Sequence, residues 1–409
     1  MCTHLPVQLA NDSVANVSGL DAPVAHVNPY GALGQPSRIL YAAYGSDGRQ
    51  TLLQQALPRI LGPSPLISTL VDIPGSDLTF TGFTEPYGGT SDAVVFIGEA
   101  HRHGEASLDG VFLLERALAV HLPPRKLVDT RTAIPPVPGE APEPQPDFLG
   151  LGSPVLLADG SGDVVFAGAD EPGGRRSGLF RWRRDGGTIE TVVENVSSRV
   201  ADISGAAYAA GERASAGHLV YLATAWRRGV RGPGLYSQSL QRGLFPPVPR
   251  LLTAVGEPVP QSAPAQRFAA LGAPGAAGSW VAFVGAGSAG TVGVYACSVN
   301  SGACRRVVDS RSRLPGGGSF VNFEGTPSVA ADGTVVFMAD ASNASRSGVY
   351  GADLLGSGDV WPVVAMGDSF TYLRARGTGW DGRCLAFYAI TGDADAVLAV
   401  DGRSGRFRR

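Results

Sequence analysis

Short apolar runs recur along the chain at wide, similar intervals, each bounded by Gly, Asp or Ser. RILYAAYG, AVVFIGEA, DVVFAGAD, HLVYLATA, WVAFVGAG, TVVFMADA and CLAFYAIT align on Tyr41, Phe96, Phe166, Tyr221, Phe283, Phe337 and Phe387, at spacings of 55, 70, 55, 62, 54 and 50 residues. Each run is rich in β-branched and aromatic side chains and reads as a strand buried on both faces, here called strand b. Ten to fourteen residues after five of the anchors comes Gly-Val/Leu-Phe/Tyr, starting at Gly110, Gly178, Gly234, Gly293 and Gly348, and marking strand c. A further apolar run leads to an acid (Asp72, Asp129, Glu194, Glu257, Asp309, Asp368) and marks strand d. Before most b strands lies a less apolar segment such as FTGFTEPYG, FLGLGSP, FAALGAP or FVNFEGTP, which is strand a.

Four short strands with hairpin-scale connections pair antiparallel, and repeating such units radially builds a β-propeller. The expectation is therefore an all-β, seven-bladed β-propeller of four-stranded antiparallel blades, one domain over residues 1–409 with a Pro-rich loop insert at 134–147. The ends of the chain bear on closure. After FTYLRARGTG, CLAFYAIT and AVLAVDG the chain has no seventh d strand, whereas VQLAND (Val7 to Asp12) resembles VVAMGD (Val363 to Asp368). An N-terminal strand completing the last blade leaves no open edge there. Two stacked β-sandwiches are the competing architecture, and they leave the sevenfold spacing unexplained.

The layout VVDSRSRLPGGGSFVNFEGTPSVAADGTVVFMAD followed by SGVY resembles the tandem repeats of a group of largely uncharacterised bacterial propeller proteins, loosely similar to the TolB-like and WD40-like superfamily. The resemblance runs from Val7 to about Asp401 and is weakest in the fourth repeat, which lacks Pro-Gly-Gly and the Phe pair. It implies the propeller and an exported protein, and it carries no catalytic residues.

Composition agrees with many short strands joined by turns. There are 56 Gly and 30 Pro in 409 residues, and Lys126 is the one lysine among 33 basic residues. A formal charge of -3 supplies no basic face for phosphate neutralisation, so nucleic acid is not an expected partner. No apolar run reaches the ~18–20 residues of a membrane span. MCTHLPVQLANDS lacks the layout of a secretory signal, so an exported protein would already be processed.

Two features point outward from the cell. Cys297 and Cys304 fall opposite each other if VYACSVNSGACRRVVD folds as a hairpin, within disulfide reach, although two separate buried thiols fit the same spacing. Asn11, Asn16, Asn195 and Asn343 sit in N-x-S sequons, four of the seven asparagines, and would be glycosylated in a secreted eukaryotic protein.

Candidate chemistry concentrates in the b-to-c connections, where loops vary on a fixed frame. DEPGGRR and WRRGVRGPG bring Arg175, Arg176, Arg227, Arg228 and Arg231 with Trp226, an aromatic plate beside guanidinium forks suited to an anionic sugar or a partner's carboxylates. HRHGEASLD offers His101, His103 and Glu105 without a third ligand at fixed spacing, so no metal is expected. The acids ending the d strands, with Asp12 as the seventh, suit turn capping better than cation binding, because strand d is outermost. Glu85 and Glu324 on strands a are the best pair for glycoside chemistry at the channel mouth, and no nucleophile, metal or phosphate-loop motif is present.

The expected function is that of a monomeric, non-enzymatic binding protein without a cofactor. It is exported or extracellular and recognises a protein or carbohydrate through its b-to-c loops. The alternative is a carbohydrate-active hydrolase or lyase.

Overall fold

The structure is a computed structural model that describes residues 7–11, 17–20, 24–26, 38–56, 64–89, 93–100, 108–117, 120–136, 145–157, 159–170, 176–195, 200–209, 217–227, 230–240, 248–356, 358–368, 372–374, 384–391 and 394–401. These residues form seven antiparallel sheets of four or five strands, with two short 3-10 turns. In each sheet the strands follow one another in space in the order a, b, c, d. The sixth is representative, with Phe320–Val329, Thr334–Ala341, Gly348–Asp353 and Val360–Ala365 side by side. The last sheet draws on both ends of the chain: Val7–Asn11 lies antiparallel on Ala394–Asp401, pairing Val7 with Ala399 and Asn11 with Ala396.

Alternation along strand b explains why its sequence is apolar on both faces. Val94 and Phe96 pack with Leu40, Leu52 and Ile67 of the first sheet, while Val95 packs with Phe148, Val164 and Phe166 of the third. The same wedge repeats. Val165 faces Leu219 and Tyr221 of the fourth sheet, Val220 faces Val281 and Phe283 of the fifth, Ala282 faces Val335 and Phe337 of the sixth, and Val336 faces Leu385 and Phe387 of the seventh. Val17–Leu20, the first strand of the first sheet, runs against Ala394–Asp401 of the seventh.

Four of the sheets hold an aromatic triad among the described residues, and the fourth sheet stacks Tyr221 on Tyr236 at 5.9 Å. In the third sheet Phe166 and Phe180 stack at 5.9 Å and Phe148 meets Phe180 edge-on at 4.9 Å. Phe80, Phe96 and Phe112 repeat this in the second sheet, Phe268, Phe283 and Tyr295 in the fifth, and Phe320, Phe337 and Tyr350 in the sixth. The edge-to-face and offset stacks are the favoured arrangements of the ring quadrupoles.

The glycine opening strand c is required by a close approach. A Cβ on Gly178 would lie 2.5 Å from the Val193 carbonyl oxygen, on Gly293 2.6 Å from that of Val308, and on Gly348 2.2 Å from that of Val364. In each case the register of strand d shifts at the next residue of strand c, so the Gly sits at a bulge that turns the outer strand.

The acid at the end of strand d keeps this register in only part of the chain. Asp129, Glu194 and Asp309 pair with Gly110, Gly178 and Gly293, but Ala254 and Ala365 take the position opposite Gly234 and Gly348, and Asp72 and Glu257 lie beyond their strands. Asp12 and the Asp368 side chain fall outside the described residues. Two of the three in-register acids cap a turn, while Glu194 instead pairs with Arg176. Asp129 Oδ1 accepts from the Arg131 N–H and the Thr132 hydroxyl, and Asp309 Oδ1 accepts from the Arg311 N–H and the Ser312 hydroxyl.

Four residues before the same register point stands an arginine in three sheets, and two of these reach the next sheet. Arg125 lies 4.7 Å over the Trp182 ring, and Arg250 donates to the carbonyls of Asn300 and Ser301 in the following c-to-d turn. Arg305 instead stacks on Trp280 of its own sheet at 5.0 Å. The turn gripped by Arg250 is closed by the disulfide. Cys297 and Cys304 are cross-strand partners with Cα atoms 4.0 Å apart, as the hairpin reading expects.

The crossing from the first to the second sheet carries backbone strain. Leu70 has φ 74 and is 61% exposed, at the place where Gly256 has φ 86 in the crossing from the fourth sheet to the fifth. Both N–H groups donate to the carbonyl of the Phe that opens the next strand a, Phe80 and Phe268. Leu70→Gly is expected to stabilise the protein by up to about 1.5 kcal/mol: relief of roughly 1–2 kcal/mol of left-handed strain, less about 0.5–1 kcal/mol for the freer unfolded glycine. Thermal melting reads this as a rise of a few degrees, and a fall would show that the Leu70 side chain contributes packing that outweighs the strain.

Candidate functional site

At the end of the second sheet where its described d-to-a crossings lie, the crossing from the first sheet, the start of strand c and the turn beyond strand d line an open cleft of about 770 Å³. One wall is the tip of the crossing from the first sheet, Gly75, Ser76 and Asp77. That tip is a hairpin held by the Ile73 N–H on the Leu78 carbonyl, with Ile73 and Leu78 buried beneath it. The other wall is the end of strand d in the second sheet and the turn beyond it, Lys126, Asp129, Arg131 and Thr132, and Leu108 closes the cleft at the start of strand c.

The second wall is built around a buried carboxylate. Asp129 is 5% exposed. Burial alone would raise its pKa, but hydrogen bonds from Lys126 Nζ at 2.8 Å, the Thr132 hydroxyl at 2.7 Å and the Arg131 N–H outweigh it and hold the carboxyl below its ordinary value. A depressed carboxyl contributes stability that is present above the ordinary Asp range, about pH 4, and is lost as pH falls through the folded value. Asp129 therefore stays ionised and fixes Lys126, while the turn it caps carries Arg131 on its exposed side. The Arg131 guanidinium has no partner among the described residues. Most other described arginines are engaged within the fold.

Arg176 is a case in point. Its Nε donates to Glu194 at 2.6 Å, with the two side chains 11% and 1% exposed, and its other nitrogens reach the Gln145 side chain and the Pro135 carbonyl. Pro135 and Gln145 belong to the base of the Pro-rich insert. That base is a short stem, with the Ile134 N–H on the Pro146 carbonyl and the Phe148 N–H on the Thr132 carbonyl. The guanidinium thus joins the third sheet to both legs of the insert. Residues 137–144 lie outside the described residues.

The rest of the predicted Trp and Arg patch is placed in outline. Trp226 and Arg227 end strand b and Arg231 enters strand c of the fourth sheet, with Trp226 opposite Arg231 and Arg227 opposite Val230. The segment read as a loop is thus the tip of a long hairpin whose ladder continues to Arg227 opposite Val230. The side chains of Trp226, Arg227 and Arg231 are outside the described residues, as are Arg175 and Arg228 entirely. So are His101, His103, Glu105, Asn16 and the side chains of Asn11 and Glu85.

Asn195 accepts from the Ser177 N–H, and Asn343 is exposed and caps the 3-10 turn Ala344–Arg346 by accepting from the Ser345 N–H. Glu324 is exposed on strand a of the sixth sheet. Among the described residues no three of His, Cys, Asp and Glu are grouped to hold a metal ion.

The signal for the cleft was divided in the sequence. KLVDTRT (126–132) recurs as RVVDSRS (306–312), which announces the capped turn, whereas the opposing wall comes from a different crossing.

No family model matches the chain, and no curated protein matches it. Solved structures do, and they are β-propeller-type folds. A puromycin hydrolase is 13% identical with a TM-score of 0.52 over 99% of this chain and 55% of its own, and a Mycobacterium tuberculosis puromycin-hydrolyzing peptidase is 14% identical with a TM-score of 0.52 over the same shares. An oligogalacturonate lyase in complex with manganese covers 99% of this chain and 100% of its own at 12% identity, with a TM-score of 0.39. The chain thus spans about half the length of the solved peptidases it matches, and at these identities the likeness shows the fold alone: a nearly all-β chain of antiparallel four-stranded sheets of propeller type.

Proposed function

We propose that the seven sheets are the blades of one closed propeller and that its b-to-c loop face binds a protein or carbohydrate partner outside the cell. Supporting closure, Val7–Asn11 pairs with Ala394–Asp401, and each sheet packs on the next in chain order. Supporting export is the Cys297–Cys304 disulfide, a bond that persists in oxidising compartments. The sequons at Asn11, Asn16, Asn195 and Asn343 would be glycosylated there in a eukaryotic host. No helix among the described residues is long and apolar enough to cross a membrane.

The observation that carries the binding reading is the cleft on the loop face, about 770 Å³ and within the range of ligand sites. Trp226, Arg227, Arg228, Arg231 and Arg175 are the proposed second contact zone for the partner, with Arg176 committed as the internal brace. Carbohydrate arrays and pull-downs with the purified chain test this. The expected result is a specific partner whose binding is weakened by Trp226→Ala or by substitutions in the cleft. A partner that maps to the c-to-d turns of the opposite face would overturn it. Polysaccharide cleavage abolished by Glu85→Gln or Glu324→Gln would replace it with the hydrolase or lyase reading, which needs two carboxyl groups about 5–10 Å apart.

A further inference from the structure

The geometry points to the cleft beside the second sheet as a site for an acidic saccharide, with Arg131 and Lys126 taking its anionic group and the Ser76 hydroxyl, which already accepts from the Leu78 N–H, donating to one of its oxygens. This rests on the loop-face reading above and gives it a ligand class. The argument begins with charge. Lys126, the single lysine of the chain, has one proton committed to Asp129 at 2.8 Å and carries two more donors. Arg131 stands on the same turn with its fork uncommitted among the described residues, whereas Arg176, Arg181, Arg183, Arg184, Arg250 and Arg306 are bound to carboxylates or carbonyls. Asp129 already neutralises Lys126, so Arg131 carries the uncommitted positive charge, and its planar fork with the remaining Lys126 donors beside it suits a carboxylate or sulfate.

The remaining lining separates saccharide from peptide. Tight peptide recognition centres on apolar or aromatic anchors in desolvated pockets. This cleft offers only Leu108, itself 2% exposed, among Gly75, Ser76, Asp77 and Thr132. A polar lining of hydroxyl and backbone groups beside Arg131 and Lys126 instead matches a ligand that is hydroxylated throughout and charged at one position.

The fifth sheet supplies an internal control. Arg306, Asp309, Arg311 and Ser312 reproduce the turn of Lys126, Asp129, Arg131 and Thr132, with Arg306 2.8 Å from Asp309, but Arg311 lines no part of this cleft.

Isothermal titration of the full chain with tetragalacturonate, a sulfated disaccharide of chondroitin and neutral cellotetraose provides the test. Tetragalacturonate or the sulfated sugar is expected to bind in a salt-sensitive way, which of the two identifying the anionic group, and cellotetraose is expected not to bind. Arg131→Gln should weaken binding by about tenfold to a hundredfold, and Arg311→Gln should leave it unchanged. Absence of binding by both acidic sugars, or equal loss in the two variants, overturns the assignment. So does preferential capture of a Glu-rich peptide. A carbohydrate or protein partner whose binding ignores Arg131→Gln but is lost in Trp226→Ala also overturns the cleft assignment, and it leaves the loop-face reading standing.

Discussion

A chain lacking residues 1–12 is expected to melt well below the full-length protein and to self-associate. The deletion removes Val7–Asn11 from the edge of Ala394–Asp401, where four residue pairs are matched on either side of one bulge. At about 1 kcal/mol for each ladder interaction the direct loss is on the order of 4 kcal/mol. The larger consequence is kinetic and colloidal, because an uncovered strand offers its N–H and C=O groups to any other edge. Differential scanning calorimetry reads the first effect and light scattering after size exclusion reads the second. Adding a synthetic peptide of residues 1–12 should restore part of the lost stability. An unchanged melting temperature with an unchanged mass would mean that the seventh sheet stands without its N-terminal strand, and the closed propeller would go with it.

Phe166→Ala is the point substitution expected to cost most. Phe166 is fully buried, stacks on Phe180, meets Phe148 and belongs to the cluster joining the second and third sheets. Truncating such a ring removes its transfer free energy and leaves a cavity that a rigid wedge cannot collapse, a loss of roughly 3–5 kcal/mol. Phe166→Leu should recover most of this by refilling the volume. Urea unfolding with a constant m-value checks both, and a loss below 1 kcal/mol for the alanine variant would show that neighbouring sheets can slide to fill the gap.

Both expectations concern features that were legible in the sequence, for a physical reason. A residue wedged between two sheets must be apolar whichever way it points, so seven b strands announce themselves as unbroken apolar runs. The glycine opening strand c has to be glycine because a Cβ would strike a carbonyl, so Gly-Val-Tyr and Gly-Leu-Phe recur. The disulfide followed from hairpin register. The acids ending strand d were legible only in part: Asp129 and Asp309 announce their capped turns, while Ala254 and Ala365 show that the register point itself does not demand a carboxylate. The cleft was not legible. Its walls belong to separate crossings, and nothing in GSD at 75–77 marks it as the partner of KLVDTRT. Leu70 was hidden for the opposite reason, since leucine is an ordinary residue in an apolar run and only the observed φ exposes the conflict.

The Arg176 brace bears on how this protein could be rebuilt. Because Glu194, Gln145 and Pro135 converge on one guanidinium at the foot of the stem, the two points at which the insert leaves and rejoins the described chain are tied to the third sheet. Foreign sequence spliced between residues 136 and 145 would therefore start and finish on an anchored pair of points, making the molecule a chassis for display, provided the arginine and its glutamate are left in place.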